Sequence, residues 1–162
     1  MLIISDSNIF IDMEIARLTQ QMFQLPEAIG TPNTLYHEEL ADQHPDLPAL
    51  GLRIMNVEED FMKMADQWQD MYPDPTFNDL TAMALAKQEE CALLTGDKGL
   101  RNAATHEGID VHGTLWLMER MHSEKIIHHK RAEQAYAEMR QENRHLPWDE
   151  VEKQLKRFQK NR

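Results

Sequence analysis

Two short apolar runs in this chain end in an aspartate: LIISD delivers Asp6 and LLTGD delivers Asp97. A third acid, Asp79, opens the helical stretch FNDLTAMALA, and a fourth position lies in YHEEL, at Glu38 or its neighbour Glu39. Successive residues of a helix point about 100° apart, so only one of that pair faces inward. Carboxylates gathered at one point repel, by roughly 4 kcal/mol for two charges about 4 Å apart at an effective dielectric of 20. A divalent cation removes that cost, and aspartate oxygens suit Mg²⁺ or Mn²⁺. A competing reading is that each Asp caps the helix or turn that follows it, where acids are favoured. Thr76 to Asp79 in particular fits the capping-box pattern. Capping is enough for either strand-end Asp alone. Both together, each at a strand terminus, favour the metal.

Strands and helices must alternate to bring such acids together. LIIS is short and wholly apolar, as expected of a buried parallel strand. Ile11, Ile15, Leu18 and Met22 recur at helical spacing and predict a helix, ended by Pro26 and Gly30. AIGTP reads as a strand, TLYHEELADQ as a helix capped by Asn33 or Thr34, HPDLPALG as a loop and RIMNV as a short strand. Val57, Phe61, Met64, Trp68 and Met71 mark an amphipathic helix. YPDPTFND is a turn into the helix that carries Asp79. CALLTGD and GIDVHG are further strands, with Cys91 a small buried residue beginning the first. TLWLMERM, EQAYAEMR and WDEVEKQLKRF are helices, the last with Trp148, Val151, Leu155 and Phe158 on one face. This order predicts an α/β domain with a mostly parallel sheet, whose ligands gather beyond the carboxyl ends of the strands.

Composition bounds the rest. The 162 residues suffice for one domain with a real core, and the expected organisation is a single domain over 1–162, with 125–162 a basic helical extension. The lone Cys91 excludes an internal disulfide and suits a reducing cytoplasm. No run of 18 apolar residues exists, so no membrane partner is expected, and no secretory leader is read at the N-terminus. The net charge of −11 is uneven: residues 125–162 hold ten Lys/Arg against six Asp/Glu, the remainder seven against twenty-two. An acidic body with a basic tail is compatible with a metal site beside an anion-binding surface, and equally with a solvated helical tail.

In order and spacing, ISDSN, PNTLYHEEL, FNDLTAMALA and LLTGDKGLR resemble the PIN-domain ribonucleases, in particular their VapC-like toxin branch, over about residues 1–120. The resemblance implies a three-layer α/β/α fold with acids that bind one or two Mg²⁺ or Mn²⁺ ions and hydrolyse RNA phosphodiesters. Carried across, Asp6 matches the first metal ligand, in a D-x-N arrangement with Asn8. Glu38 matches the acid after the second strand, with Glu39 the register alternative. Asp79 and Asp97 match the third and fourth acids, Asp97 within a T-x-D signature that includes Thr95. Arg101 and Lys98 follow as phosphate contacts. The flanks of Asp79 depart from the family's usual pattern, which leaves Asp74 as a second candidate for that charge. The resemblance further implies an RNA substrate, a small antitoxin partner and a homodimer.

Other chemistries find little support. No pair of histidines has a spacing that shares one ion across a single helical turn, Ser5 and Ser7 lack the context of an activated nucleophile, and no phosphate-binding glycine loop is present. The eleven methionines read as core filler. An aspartyl-phosphate enzyme would want D-x-D after the first strand, where this chain has D-S-N. The expected function is a metal-dependent endoribonuclease, with a non-catalytic PIN scaffold that binds RNA or protein as the alternative.

Overall fold

A computed structural model describes residues 1–160. Residues 161 and 162, the end of the basic stretch, lie outside the described part. Five strands form one sheet: β1 (Leu2–Ser5), β2 (Ala28–Pro32), β3 (Arg53–Met55), β4 (Ala92–Leu94) and β5 (Val111–His112). Their spatial order is β3-β2-β1-β4-β5 and every pairing is parallel. Parallel strands need crossovers, and helices on both faces supply them, giving the α/β/α layering expected from the sequence. The chain winds outward from β1 in one direction through β2 and β3, and in the other through β4 and β5. The order therefore reverses between β1 and β4, and ligand crevices of open parallel sheets form beyond the carboxyl ends at such a point.

Register brings the strand ends level. Ile3, Ile4 and Ser5 face Ala92, Leu93 and Leu94 across β1 and β4, and the amide of Asp6 extends the ladder to the Leu94 carbonyl at 3.1 Å. The next residues on each strand, Asp6 and Thr95, thus emerge side by side. Beside β1, Gly30 is where β2 packs most closely: a Cβ there would stand 2.7 Å from Met55 Sδ and 3.2 Å from Ile4 Cδ1, so a larger residue would make those side chains shift.

Helices fill the layers. They are α1 (Ser7–Ile15), α2 (Thr19–Met22), α3 (Asn33–Leu35, continued by a π-turn at Tyr36–Leu40), α4 (Leu47–Leu50), α5 (Glu59–Met71), α6 (Phe77–Gln88), α7 (Lys98–His106), α8 (Thr114–Ser123), α9 (His129–Gln141) and α10 (Trp148–Lys160). The central one is α6, buried without a break from Leu80 to Ala86 against β1, β2 and β4. The basic C-terminal stretch is packed into the body: α9 contacts α1, α10 contacts α8 and α9, and Ala135, Tyr136, Met139, Val151 and Phe158 join the common core. Among the described residues no helix is long and apolar enough to cross a membrane.

Several local readings are corrected. The stretch after β1 is two helices, because Arg17 takes a positive φ of 59° and ends the first. Its buried face is Ile9, Phe10 and Met13, whereas Ile11 and Ile15 are only half-buried. Neither Asn33 nor Thr34 caps α3: Pro32 holds the cap position and no side chain bonds the first turn. HPDLPALG contains the helical turn α4, with Pro48 in its first turn where proline is tolerated. Cys91 is half-buried and precedes β4 by one residue, and burial pushes its thiol up to about 11. Met71 stands exposed at the end of α5 rather than on its buried face.

Candidate active site

Three of the predicted acids cap helices, and the strand and helix ends that carry them meet at the carboxyl rim of the sheet. Asp6 is the N-cap of α1: its Oδ1 accepts from the Ile9 amide at 3.2 Å. Asp97 is the N-cap of α7, and its Oδ2 accepts from the Leu100 amide at 2.8 Å. Asp79 completes a capping box at the start of α6: its Oδ2 accepts from the Thr76 amide at 3.1 Å, while its own amide donates to Thr76 Oγ1 at 3.1 Å. The capping reading of these acids holds, and capping leaves their carboxylates at the rim. A helix N-terminus is a place where a chain can afford to hold a carboxylate, because the dipole and free amides stabilise it.

Thr95 couples two of the three. It is fully buried, its hydroxyl donates to Asp6 Oδ2, and the same oxygen accepts from the Asp97 amide at 3.0 Å. With its only polar atom engaged on both sides, Thr95 positions the acids and does not itself reach a substrate. Electrostatics carry the cluster further. Asp6 is 1% exposed, and its carboxyl is raised to about 7, first by burial and then, against the lowering by Thr95 and Ile9, by the charges of Asp79 and Asp97. Asp79 is raised by burial, with Asp97 and Glu39 adding repulsion. Asp6 thus feels Asp79 and Asp97, and Asp79 feels Asp97 and Glu39.

The choice within the Glu pair is also resolved by neighbours. Glu39 Oε1 accepts from Ser7 Oγ at 3.1 Å, next to Asp6, and its charge is one of those acting on Asp79. Glu38 turns to Asn78, whose Nδ2 donates to its Oε2 at 2.8 Å. The acid facing the rim is thus Glu39, the register alternative. The π-turn at Tyr36–Leu40 widens the helix here and shifts the phase, which ordinary 3.6-residue counting does not anticipate. Ser7 and Asn78, which hold the two glutamates, are residues that sequence reasoning missed. The sole clue was their adjacency to Asp6 and Asp79.

Of the remaining candidates, Asn8 lies half-buried in the first turn of α1, and Lys98 and Arg101 are exposed in the first turns of α7. Asp74 packs on that same turn, where a Cβ on Gly99 would come within 2.8 Å of its own Cβ. It is exposed and is not among the charges that raise Asp6 or Asp79.

The donor set is chemically suited to a hard divalent cation: carboxylate oxygens from three helix caps plus Glu39. Among the described residues no three acidic, histidine or cysteine side chains already stand as a ready-made ligand cluster. Asp79 and Asp97 each use only Oδ2 as a cap, which leaves Oδ1 without a hydrogen bond among the described residues. No Lys or Arg pairs with any of Asp6, Asp79 or Asp97 among them either. A buried acid whose ionisation is opposed by burial and by two further acids is a group that a cation stabilises, so the residues present fit such an ion.

Comparison with curated proteins finds no match to the chain. A family model described as PIN domain matches residues 2–160. With that match over nearly the whole chain, and with the all-parallel sheet and its acidic rim, the chain belongs to the PIN-domain family, a fold of nuclease type.

Proposed function

We propose that the chain is a metal-dependent endoribonuclease, with Asp6, Asp79 and Asp97 holding Mg²⁺ or Mn²⁺ and Glu39 completing the acidic set. The observation that carries this reading is the convergence of Asp6, Asp79 and Asp97 at the switch point of the sheet, with no basic partner among the described residues. When bound, the ion would supply positive charge for the phosphodiester and its leaving oxygen and would make water a stronger nucleophile. The chain's own residues would do the rest. Thr95 fixes Asp6 against Asp97. Ser7 steadies Glu39. Lys98 and Arg101, exposed on the first turns of α7, would hold the flanking phosphates, and Asn8 would meet the nucleotide beside Asp6. No histidine or serine nucleophile is needed.

The finer reading, a toxin acting in the cytoplasm on RNA, blocked by a small antitoxin and working as a homodimer, rests on the resemblance of the four motifs to the VapC-like branch. The scaffold reading gains from one observation, that all three aspartates already serve as helix caps. A single assay separates the two. Purified protein with Mn²⁺ should cut single-stranded RNA, and EDTA or Asp97→Asn should abolish cutting, since asparagine keeps the cap but removes the charge. RNA that binds without metal and stays intact would establish the scaffold instead.

A further inference from the structure

Two grooves of opposite charge open on the same helix. The first, of about 940 Å³, lies at the amino ends of β1, β4 and β5 and reaches α8 at Trp116. Its rim carries four acids, Glu89, Glu90, Glu107 and Asp110, against Lys87, which already donates to the Glu107 carbonyl at 3.5 Å. Its walls are apolar: Met1 is 84% exposed there, and Phe61, Met64 and Trp116 are half-buried. The second groove, of about 1110 Å³, lies between the end of α8, the start of α9 and the end of α10. It carries Lys125, Lys130, Arg131 and three histidines against a single acid, Glu119, which accepts from Arg157 Nη1 at 2.8 Å.

Neither set of charges is neutralised within the molecule. Among the described residues Glu89, Glu90 and Asp110 form no ion pair, and neither do Lys125 and Lys130. Arg131 is turned to the carbonyls of Ala16 and Arg17, at 2.7 and 2.9 Å, so the two lysines supply the charge of the second groove.

The helix sets the grooves in register. Leu117, Met118 and Met121 bury one side of α8. Trp116, Glu119 and Ser123 follow one another at i, i+3 and i+7 and so share the opposite side. Trp116 belongs to the acidic groove, Glu119 and Ser123 to the basic one. Both grooves therefore border a single helix face, with about 10 Å of helix between Trp116 and Ser123. A two-fold axis crossing that face near Glu119 runs two copies of α8 antiparallel. The start of one, with its acids, then lies over the end of the other, with its lysines. Such a contact closes on itself and makes a dimer, not a filament. A basic peptide or a nucleic acid would fill one groove and leave the other unmatched. A second copy matches both.

We infer that the outer face of α8 is a self-association surface whose occupant is a second copy of this chain, with Glu89, Glu90 and Asp110 of each copy set against Lys125 and Lys130 of the other. The inference rests on the homodimer reading above, to which it gives a surface, and not on the carboxylate rim. Exposed ion pairs are individually weak and screened by salt, so the dimer is reversible.

Sedimentation velocity of the full chain in EDTA, over a range of concentrations, should show a monomer–dimer equilibrium. Salt at about 1 M, which screens charges beyond about 3 Å, should shift it towards monomer. Glu89→Lys, Glu90→Lys and Asp110→Lys together should weaken the dimer about tenfold or more, because the two-fold axis makes each reversed charge count twice. Lys125→Glu with Lys130→Glu should do the same. All five positions are exposed, where the fold tolerates substitution. Mixed in equal amounts, the two variants should pair with each other, since one is then basic at both grooves and the other acidic at both. Misfolded chains would not regain partners in this way. A dimer untouched by either reversal, or variants that ignore each other, would overturn the surface and leave the homodimer reading to another face. A chain that stays monomeric at every concentration would end both.

Discussion

Buried acids occur in two regions of this molecule, and they are treated oppositely. In the structural region, Asp12 accepts from Arg144 Nε at 2.6 Å and from Thr114 Oγ1 at 2.8 Å, and Glu27 takes a two-pronged bond from Arg120 at 2.5 and 2.9 Å. The Arg120 guanidinium holds Glu27 below the usual carboxylate range. At the rim, Asp6 is more deeply buried than either, yet it meets a hydroxyl, an amide and two further acids, and it is raised to about 7. The chain can therefore neutralise a buried acid with arginine, and does so where the acid only joins elements. Leaving three acids unneutralised at the switch point is a departure from its own practice, and that is the strongest physical reason to assign them work.

The comparison breaks most visibly on the structural side. Arg144→Ala would strand Asp12, and removing one partner of a buried pair costs about 3–5 kcal/mol. Urea unfolding should register that loss, and Arg120→Ala should behave similarly. Glu27 is an acid lowered in the folded state, so its contribution is fully present above the unfolded value of about 4.5 and disappears as pH falls through the folded one. The deficit of Arg120→Ala should accordingly shrink in acid. A deficit that stays constant down to pH 3 would mean that the guanidinium acts by packing rather than charge.

At the rim the same kind of change should have the opposite sign. Asp6→Asn keeps the α1 cap and removes an ionised group that burial opposes. In metal-free protein at pH 8 the variant should be more stable than the parent, by roughly 2–4 kcal/mol. For an acid raised in the folded state, stability is lost as pH rises between the unfolded value near 3.8 and the folded value near 7. The gain should therefore be complete above about pH 7 and fade towards pH 4. Thermal unfolding in EDTA at several pH values measures it. A variant that melts below the parent at pH 8 would remove the distinction between the two regions.

How much of this was legible in the sequence depends on how local the cause is. LIISD and LLTGD announced both the strands and the acids at their ends, because a short apolar run and a cap residue are neighbours in the chain. Thr76 and Asp79 showed themselves the same way. The face of α1 was not legible: Ile9, Phe10, Ile11, Met13 and Ile15 are apolar almost all round, so periodicity could not choose between stripes. Nor was the arginine pairing, since Asp12 finds its partner at Arg144 and Glu27 at Arg120, contacts that only the tertiary fold creates. The choice between Glu38 and Glu39 stayed open for a third reason, the π-turn, which changes the angular step at that position.

Thr95 sharpens the contrast at smaller cost. Thr95→Val preserves shape while removing the donor to Asp6 and the acceptor for the Asp97 amide. Net loss of two such bonds is worth about 1–3 kcal/mol. Because the hydroxyl lowers Asp6, its removal should push that carboxyl above about 7, in the direction burial already drives it. Carboxyl-carbon NMR titration reads the shift directly. An Asp6 that titrates lower in Thr95→Val would show that the hydroxyl had been serving the protonated form.

The smallest effect tests which glutamate belongs to the acidic region. Glu38 and Glu39 are both exposed, so neither Glu38→Gln nor Glu39→Gln should alter stability by more than about 0.5 kcal/mol. Their influence on Asp79 should differ nonetheless. Glu39 is one of the charges that raise that carboxyl, and Glu38, turned to Asn78, is not. Glu39→Gln should lower the titration midpoint of Asp79, and Glu38→Gln should leave it in place. The same pair should separate under raised salt, because an exposed glutamate acts on a half-buried acid through partly screened solvent. The Glu39 effect should then shrink while the shift due to burial persists. If Glu38→Gln moved Asp79 as far as Glu39→Gln, the π-turn would not be selecting one glutamate for the rim, and the acidic set would have to be redrawn around both.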